Sequence, residues 1–218
     1  MSLGADFGFF LHHWFFHKIP FLWEFHKVHH SAEVLTPLTD FRAHPVELLS
    51  YGLAKGVGIG LVQGIFCYAA NSELSLVTIM GFNYVLFAYF SMGYALRHSH
   101  FWISYGPVLS RFFISPAQHH IHHSEEEKHW DKNFGGVFAI WDWMFGTLYI
   151  PKQKEDLKFG LGEEENREFL SVTSFYIRPF QRNCAHWRGR VLIIIFLAIC
   201  LFFSVMHYGS LLGFISQE

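Results

Sequence analysis

Histidine is the residue type in this chain with the greatest potential for chemistry. The sequence contains 16 histidines, as many as lysine and arginine together. Half of them form three short boxes: His13-x-x-x-His17, His26-x-x-His29-His30 and His119-x-x-His122-His123. Residues three or four positions apart share one helix face, so each box can offer two or three imidazole nitrogens to one metal region. The three boxes therefore predict a histidine cage around metal.

The number and type of ligands narrow the kind of metal site. Eight box histidines exceed the four ligands that one zinc ion takes, so two metal ions fit better than one. The first box lacks the glutamate of an H-E-x-x-H zinc site, because Trp14 and Phe15 stand in its interior. Imidazole suits iron, copper and zinc alike, so ligand type leaves the metal open.

The cysteines point to packing rather than to chemistry. Cys67, Cys184 and Cys200 lie far apart, and two of them sit in strongly apolar runs. This pattern favours neither a disulfide framework nor a thiolate metal site.

The composition predicts a membrane protein. The chain has 218 residues, which suits a single domain, and it is 51% hydrophobic and 19% aromatic but only 16% charged. A formal net charge of -2 provides no basic field for phosphates, which argues against nucleic acid as a partner.

Three apolar runs are predicted to span the bilayer, at about residues 46–70, 74–96 and 191–208. Each of the first two is long enough to cross a hydrocarbon core of about 30 Å. The first carries glycines every fourth residue, a stripe predicted to let a neighbouring backbone approach closely: Gly52, Gly56, Gly60 and Gly64.

The first two runs form a predicted transmembrane hairpin, so the histidines before and after it return to one membrane face. Basic residues near both ends of the polar region 97–190, among them Arg97, Arg111 and Arg190, indicate the cytoplasmic side. The predicted fold is thus an all-α integral membrane bundle, with a transmembrane hairpin and a cytosolic-face helical cap that carries the histidine cluster.

The motifs together resemble the fatty acid hydroxylase and sterol desaturase superfamily. The resemblance covers about Asp6 to Pro151, and no recognisable motif follows. Besides the boxes, it rests on Ile19-Pro20-Phe21-Leu22-Trp23, Arg42-Ala43-His44-Pro45 with Glu47, His98-Ser99, Ser115-Pro116, Asp131-Lys132-Asn133-Phe134-Gly135, and Trp141-Asp142 with Phe145-Gly146-Thr147.

The resemblance implies a metal-ligand set. The implied ligands are the eight box histidines with His98 as a ninth: His13, His17, His26, His29, His30, His98, His119, His122 and His123. His100 and His44 are weaker candidates, and His44, just before Pro45, also suits a helix-capping role. Supporting roles around the ligands are expected for Asp131, Asn133, Asp142 and His44, with Glu24 as a further acid. The remaining histidines are not expected to be ligands: His12, His120, His129, His186 and His207.

The resemblance also implies an activity. A protein with this resemblance is expected to be a membrane-bound monooxygenase-type oxidoreductase with two non-haem iron ions. Such an enzyme uses dioxygen to hydroxylate or desaturate a lipid such as a sterol, fatty acyl chain or ether lipid. The sequence contains no cytochrome or Rossmann motif, so electrons are expected from a separate donor protein or reductase. The expected location is the bacterial inner membrane or the endoplasmic reticulum, with the active site on the cytoplasmic face.

Two other interpretations of the histidines remain open. One is a non-catalytic membrane transporter or sensor for zinc or copper, and the other is a bis-histidine haem protein. Members of the superfamily usually carry further membrane helices before the first box, whereas twelve residues precede His13 here. Both a compact form and a form lacking N-terminal spans are consistent with this.

Overall fold

The computed structural model describes residues 2–71, 94–185, 190–195 and 198–199. Within these ranges the regular elements are all helical, and β-structure is confined to two isolated bridges, Phe113 with Phe138 and Ser124 with Phe159. The predicted all-α class is confirmed for this part of the chain. Most of the predicted second span, 74–96, lies outside the described residues, as does most of the third, 191–208.

The described residues include six helices of six or more residues. They are α1 (Ser2–Lys18), α2 (Pro20–His30), α3 (Pro45–Ala70), α4 (Pro116–His122), α5 (Ile140–Phe145) and α6 (Val172–Ala185). Shorter helical turns lie at Thr39–Phe41, Ala95–Arg97, Gly106–Leu109, Glu127–His129, Glu163–Asn166 and Arg167–Phe169.

Local sequence signals explain where the histidine-bearing helices begin. Pro20 opens α2, where its missing N–H and fixed φ cost nothing. Ser115 caps α4 in a reciprocal capping box with Gln118. Both helices then run directly into a histidine box, so their start points determine which way the imidazoles face.

Helix α3 has the dimensions of a membrane span. Its 26 residues correspond to about 39 Å at 1.5 Å per residue. Its most apolar 18-residue window has a mean hydropathy of 1.4 and is not buried inside the protein. It matches the first predicted span and is the one described helix with these properties.

Helix α1 packs antiparallel against α3. Gly4 of α1 lies against Gly58, Gly8 lies against Ala54, and the His12 ring is 2.9 Å from the Ser50 hydroxyl. A Cβ added at Gly58 would meet the carbonyl oxygen of Gly4. Small residues at these crossing points let the two backbones touch.

The predicted glycine stripe does not make this contact. No described atom lies within 4 Å of a Cβ placed on the four stripe positions, Gly52, Gly56, Gly60 and Gly64. The close approach falls instead on Gly58, which lies on another side of α3 because helical positions are 100° apart. Sequence spacing indicated a packing surface but not the face that α1 uses.

Helix α6 is joined to α2 by a compact ionic cluster. Lys27 lies 2.7 Å from Glu24 and 2.8 Å from Glu165, and Arg182 of α6 lies 2.7 Å from each of the same two carboxylates. Lys27 is buried, so these partners compensate a charge that would otherwise be costly. The cluster holds the second histidine box against the C-terminal part of the described chain.

Candidate metal centre

The structure brings nine histidines together in two adjacent groups. The first group, cluster A, contains His13, His17, His26, His30 and His122, and the second, cluster B, contains His29, His98, His119 and His123. Within each cluster, one nitrogen from every ring lies within 4.8 Å of the others. All nine were expected to converge from the sequence, and His98 completes cluster B.

Each helix contributes to the clusters as helical periodicity requires. Helix α1 supplies two rings of cluster A one turn apart, His13 and His17. Helix α2 contributes to both clusters, because His26 and His30 belong to cluster A and His29 belongs to cluster B. Helix α4 divides in the same manner, with His119 in cluster B and His122 in cluster A. One H-x-x-H-H box therefore serves two sites.

Oxygen acceptors hold the Nδ1 side of the rings in cluster A. His13 Nδ1 donates to the carbonyl oxygen of Phe134 at 2.8 Å, and His122 Nδ1 donates to that of Lys132 at 2.8 Å. His26 Nδ1 lies 2.6 Å from the Glu47 carboxylate on α3. The two carbonyl acceptors assign the ring proton of His13 and of His122 to Nδ1 and leave Nε2 of each with a free lone pair, the arrangement that hydrogen-bond partners behind the ring impose on metal-binding histidines.

Nε2 atoms of cluster A face one another. His13 Nε2 and His26 Nε2 are 3.2 Å apart, and His13 Nε2 carries no proton because that ring donates from Nδ1. Nitrogens about 2.1 Å from one metal ion lie about 3 Å apart when they bind at right angles. Three further Nε2 atoms of cluster A are buried with no hydrogen-bond partner in the described part of the chain, those of His17, His30 and His122. The residues therefore fit a cation.

In cluster B the Nε2 atoms also face one another, and other residues contact the Nδ1 atoms. His98 Nε2 lies 2.9 Å from His119 Nε2, which lies 3.1 Å from His123 Nε2. His98 Nδ1 donates to the Thr39 hydroxyl at 3.1 Å, since that hydroxyl already donates to Thr36 O. His29 Nδ1 lies 3.3 Å from the carbonyl oxygen of Arg42. The loop before α3 thus supports cluster B, as the 132–134 segment supports cluster A.

The rings are neutral in the folded protein. Burial lowers the pKa of His26 and of His122 to about 3, and lowers the pKa of His29 to about 4. The charged form of an imidazole is disfavoured in a site that excludes water, and its neighbours would repel it. Neutral nitrogens are what a metal ion requires.

The segment that supports cluster A is itself held by Asp142. The Asp142 carboxylate accepts hydrogen bonds from Phe134 N at 2.8 Å, Gly135 N at 2.7 Å and the Thr147 hydroxyl at 2.6 Å. Asn133 has φ 58° and donates its side-chain amide to Gln118 O at 3.0 Å, which ties the segment to α4. Asp142 and Asn133 are therefore connected to the rings through main-chain groups and not by a direct bond.

The remaining supporting residues expected from the sequence lie elsewhere. Asp131 forms an exposed ion pair with Lys18 at 2.6 Å, and Glu24 belongs to the ionic cluster of α2 and α6. Neither is bonded to a ring of the two clusters among the residues that the structure describes. His44 caps α3 by accepting from Val46 N, as expected for a residue before Pro45.

The other histidines have separate environments. His12 contacts Ser50, and His129 lies 2.9 Å from the Ser124 hydroxyl and 3.2 Å from Glu155. His100 is exposed beside Phe101, and His120 is buried near Trp102. These four lie outside both clusters. His186 and His207 are outside the described residues.

Two cavities reach the clusters from different sides. The larger, about 630 Å³, opens beside His17, His30 and His122 of cluster A and includes Trp23 and Leu161. The smaller, about 90 Å³, touches rings of both clusters and is closed by three residues of α3, Glu47, Leu48 and Tyr51. A molecule can therefore approach the histidines both from the polar region and from the side of the apolar helix.

Sequence reasoning missed the direct partners of the rings. Glu47 was part of a matched motif but had no assigned role, although its spacing from Pro45 in the first turn of α3 was visible. Thr39 and the carbonyls of Lys132, Phe134 and Arg42 left no recognisable signal, because a main-chain carbonyl is present at every residue.

Comparisons with known proteins agree with the motifs. The family model described as fatty acid hydroxylase matches residues 1–147. Similar curated proteins include alkylglycerol monooxygenase of Caenorhabditis elegans, 29% identical over 74% of this chain, and ornithine lipid hydroxylase OlsE of Rhizobium tropici, 27% identical over 82%. A third is very-long-chain aldehyde decarbonylase GL1-1 of Oryza sativa subsp. indica, 30% identical over 74%.

The matched regions cover 28%, 49% and 25% of those three relatives, so the chain spans about a quarter to a half of their length. No solved structure matches the chain.

Proposed function

Because the chain belongs to the fatty acid hydroxylase family, we propose that it is a membrane-bound oxidoreductase that hydroxylates, or desaturates, a C–H bond of a lipid. Dioxygen is the co-substrate, a separate protein donates the electrons, and the nine clustered histidines hold two iron ions. Hydroxylation consumes one dioxygen, two electrons and two protons, and it releases one water for each hydroxyl formed.

The observation that supports this proposal most strongly is the convergence of nine neutral imidazoles on two adjacent points. An unactivated C–H bond requires an oxidant that no side chain can supply, and a bound pair of iron ions supplies that chemistry with dioxygen. Imidazole alone does not distinguish iron from copper or zinc. Family membership is the reason for proposing iron.

The chain's own residues have three tasks in this proposal. Glu47, with the carbonyls of Phe134 and Lys132, orients the rings of cluster A, and Thr39 with Arg42 orients those of cluster B. Burial of the rings excludes water from the reacting region and keeps the ligands neutral. The two cavities provide room for a lipid segment beside the rings.

The position of the clusters favours an enzyme over the transporter or sensor. A transport site would be expected near the bilayer midplane, within the spans. Both clusters instead lie beside the first turn of α3, where Glu47 meets His26. That position suits a membrane lipid brought to the interface. We propose the cytoplasmic interface, on the basis of the basic residues that flank the spans.

The test is untargeted lipid mass spectrometry of cells that produce the protein, compared with cells that produce His122→Ala. We expect a lipid that gains one oxygen or loses two hydrogens only with the unaltered chain, and only when dioxygen is present. Product formed without dioxygen would point to hydrolysis. No lipid difference between the two, despite full metal loading of the unaltered chain, would contradict the proposed activity.

A further inference from the structure

An exposed aromatic patch lies beside α1, outside the histidine clusters and outside the predicted spans. It is formed by residues 106–113 and by helix α5, and is called the aromatic patch below. Its most exposed large side chains are 46–70% accessible: Val108, Leu109, Phe112, Trp143, Met144 and Phe145. Exposed apolar side chains concentrated on two neighbouring segments are typical of an interaction site rather than of scattered exposure.

The two halves of the aromatic patch form one unit. Ala139 N donates to Phe112 O at 2.9 Å, and Ile114 N donates to Val137 O at 3.0 Å. The Asp6 carboxylate of α1 then accepts from Val137 N at 2.6 Å, Phe138 N at 3.1 Å and Trp141 Nε1 at 2.9 Å. The patch is therefore fixed to α1 rather than carried on a loose loop.

The contacts of α1 set the depth of the aromatic patch along α3. Phe7 packs on Trp141 with ring centroids 4.8 Å apart and on Phe145 at 6.5 Å. The next residue, Gly8, lies against Ala54 and Lys55 of α3. Eight residues separate Lys55 from Glu47, which is about 12 Å along a helix. The Trp141 end of helix α5 thus lies about 12 Å further along α3 than the His26–Glu47 contact, whereas Phe145 also packs on Phe10, nearer the clusters, at 5.1 Å.

Lys55 indicates where the bilayer boundary falls. Its ammonium lies 4.8 Å from the centre of the Tyr51 ring, one turn nearer the start of α3. A lysine near the end of a span directs its charge back toward the interface, and tyrosine is enriched there. The boundary therefore falls near Tyr51, and α5 reaches the level of the bilayer.

We propose that the aromatic patch is inserted into the interfacial layer of the same bilayer that α3 crosses, as a membrane contact separate from the spans. The occupant of this surface is lipid, since exposed Trp, Met and Phe side chains suit the boundary between headgroups and acyl chains. Arg111, exposed within the patch, can reach the headgroups. The inference rests on the proposed membrane placement of α3, and is independent of metal and catalysis.

The experiment measures the depth of single fluorescent labels in vesicles. Cys67, Cys184 and Cys200 are first replaced by serine. A single cysteine is then introduced by Met144→Cys, Phe66→Cys or Glu164→Cys, and it is labelled with an environment-sensitive dye. Phe66 is 58% exposed on α3, and Glu164 is exposed on the turn Glu163–Asn166. Each labelled protein is reconstituted in phosphatidylcholine vesicles, with its melting temperature compared with that of the unlabelled parent.

We expect iodide in the water to quench the labels at 144 and 66 several-fold less than the label at 164. Phosphatidylcholine carrying a nitroxide near the headgroup should quench the label at 144 more than one carrying it deep in the acyl chain, with the reverse order at 66. A label at 144 that iodide quenches as strongly as at 164, or that neither quencher reaches, would overturn the proposal. Free access of iodide to both 144 and 66 would overturn the membrane placement as well.

Discussion

His26 Nδ1 and a carboxylate oxygen of Glu47 lie 2.6 Å apart, and both groups are buried. This contact joins the second histidine box to the first turn of the apolar helix α3. It orients the His26 ring so that Nε2 faces His13. The geometry of cluster A therefore depends on where α3 begins.

Replacing Glu47 should weaken the metal site. Glu47→Ala removes the acceptor for His26, and loss of such a partner typically reduces metal affinity about 10–100-fold. Glu47→Gln keeps an acceptor oxygen, so its loss should be smaller. Metal content after dialysis against a graded chelator measures both. The matched control is Glu164→Ala, an exposed acid outside the clusters; equal affinity of Glu47→Ala and this control would contradict the role of Glu47.

Single ligand variants should act on one cluster each. His122→Ala removes a nitrogen from cluster A and His29→Ala removes one from cluster B, so each should lower the bound metal from two ions toward one and abolish lipid turnover. Elemental analysis together with the lipid assay measures this. His100→Ala, an exposed histidine outside both clusters, should change neither. Retained turnover in either ligand variant would refute the assignment.

Asp142 and Asp131 provide a matched pair. Asp142→Asn removes a buried acceptor of three hydrogen bonds and should cost about 1–3 kcal/mol of stability, because it leaves main-chain donors poorly satisfied. Asp131→Asn breaks only an exposed ion pair with Lys18, worth about 0–1 kcal/mol. Thermal melting in detergent compares the two. A larger loss for Asp131→Asn would contradict the supporting role of Asp142.

Glycines on different faces of α3 should respond differently to alanine. A Cβ at Gly58 would meet the backbone of α1, so Gly58→Ala should cost about 1–3 kcal/mol through overpacking. Gly60→Ala meets no described atom within 4 Å and should be neutral or up to about 1 kcal/mol stabilising, because alanine favours a helix. The melting temperatures of the two variants measure this. Equal destabilisation would show that α1 does not cross α3 at Gly58.

The sequence predicted that the box histidines cluster because their spacing is local. Histidines at i, i+3 and i+4 share a helix face whatever the rest of the fold does, so the boxes are recognisable from residue spacing alone. The long apolar helix α3 was equally recognisable, since its length and hydropathy depend only on its own residues. The predicted start at 46 differs by one residue from the observed Pro45.

Features that depend on tertiary contact could not be predicted in the same way. The carbonyls of Phe134 and Lys132 support cluster A through their position, which residue type does not reveal. The face of α3 that meets α1 depends on how the two helices cross, so the regular glycine stripe did not indicate Gly58 as the contact with α1. Asp142 was predicted to be a supporting residue, but its hydrogen bonds to Phe134 N and Gly135 N depend on the fold of that segment.

The most direct test is the metal content of the purified protein, measured by elemental analysis and optical absorption on the same sample. Two adjacent histidine clusters predict two metal ions per chain, and the proposed function predicts that both are iron and that no haem band appears. One ion per chain, a haem spectrum, or readily exchangeable zinc in place of iron would contradict the proposed di-iron centre.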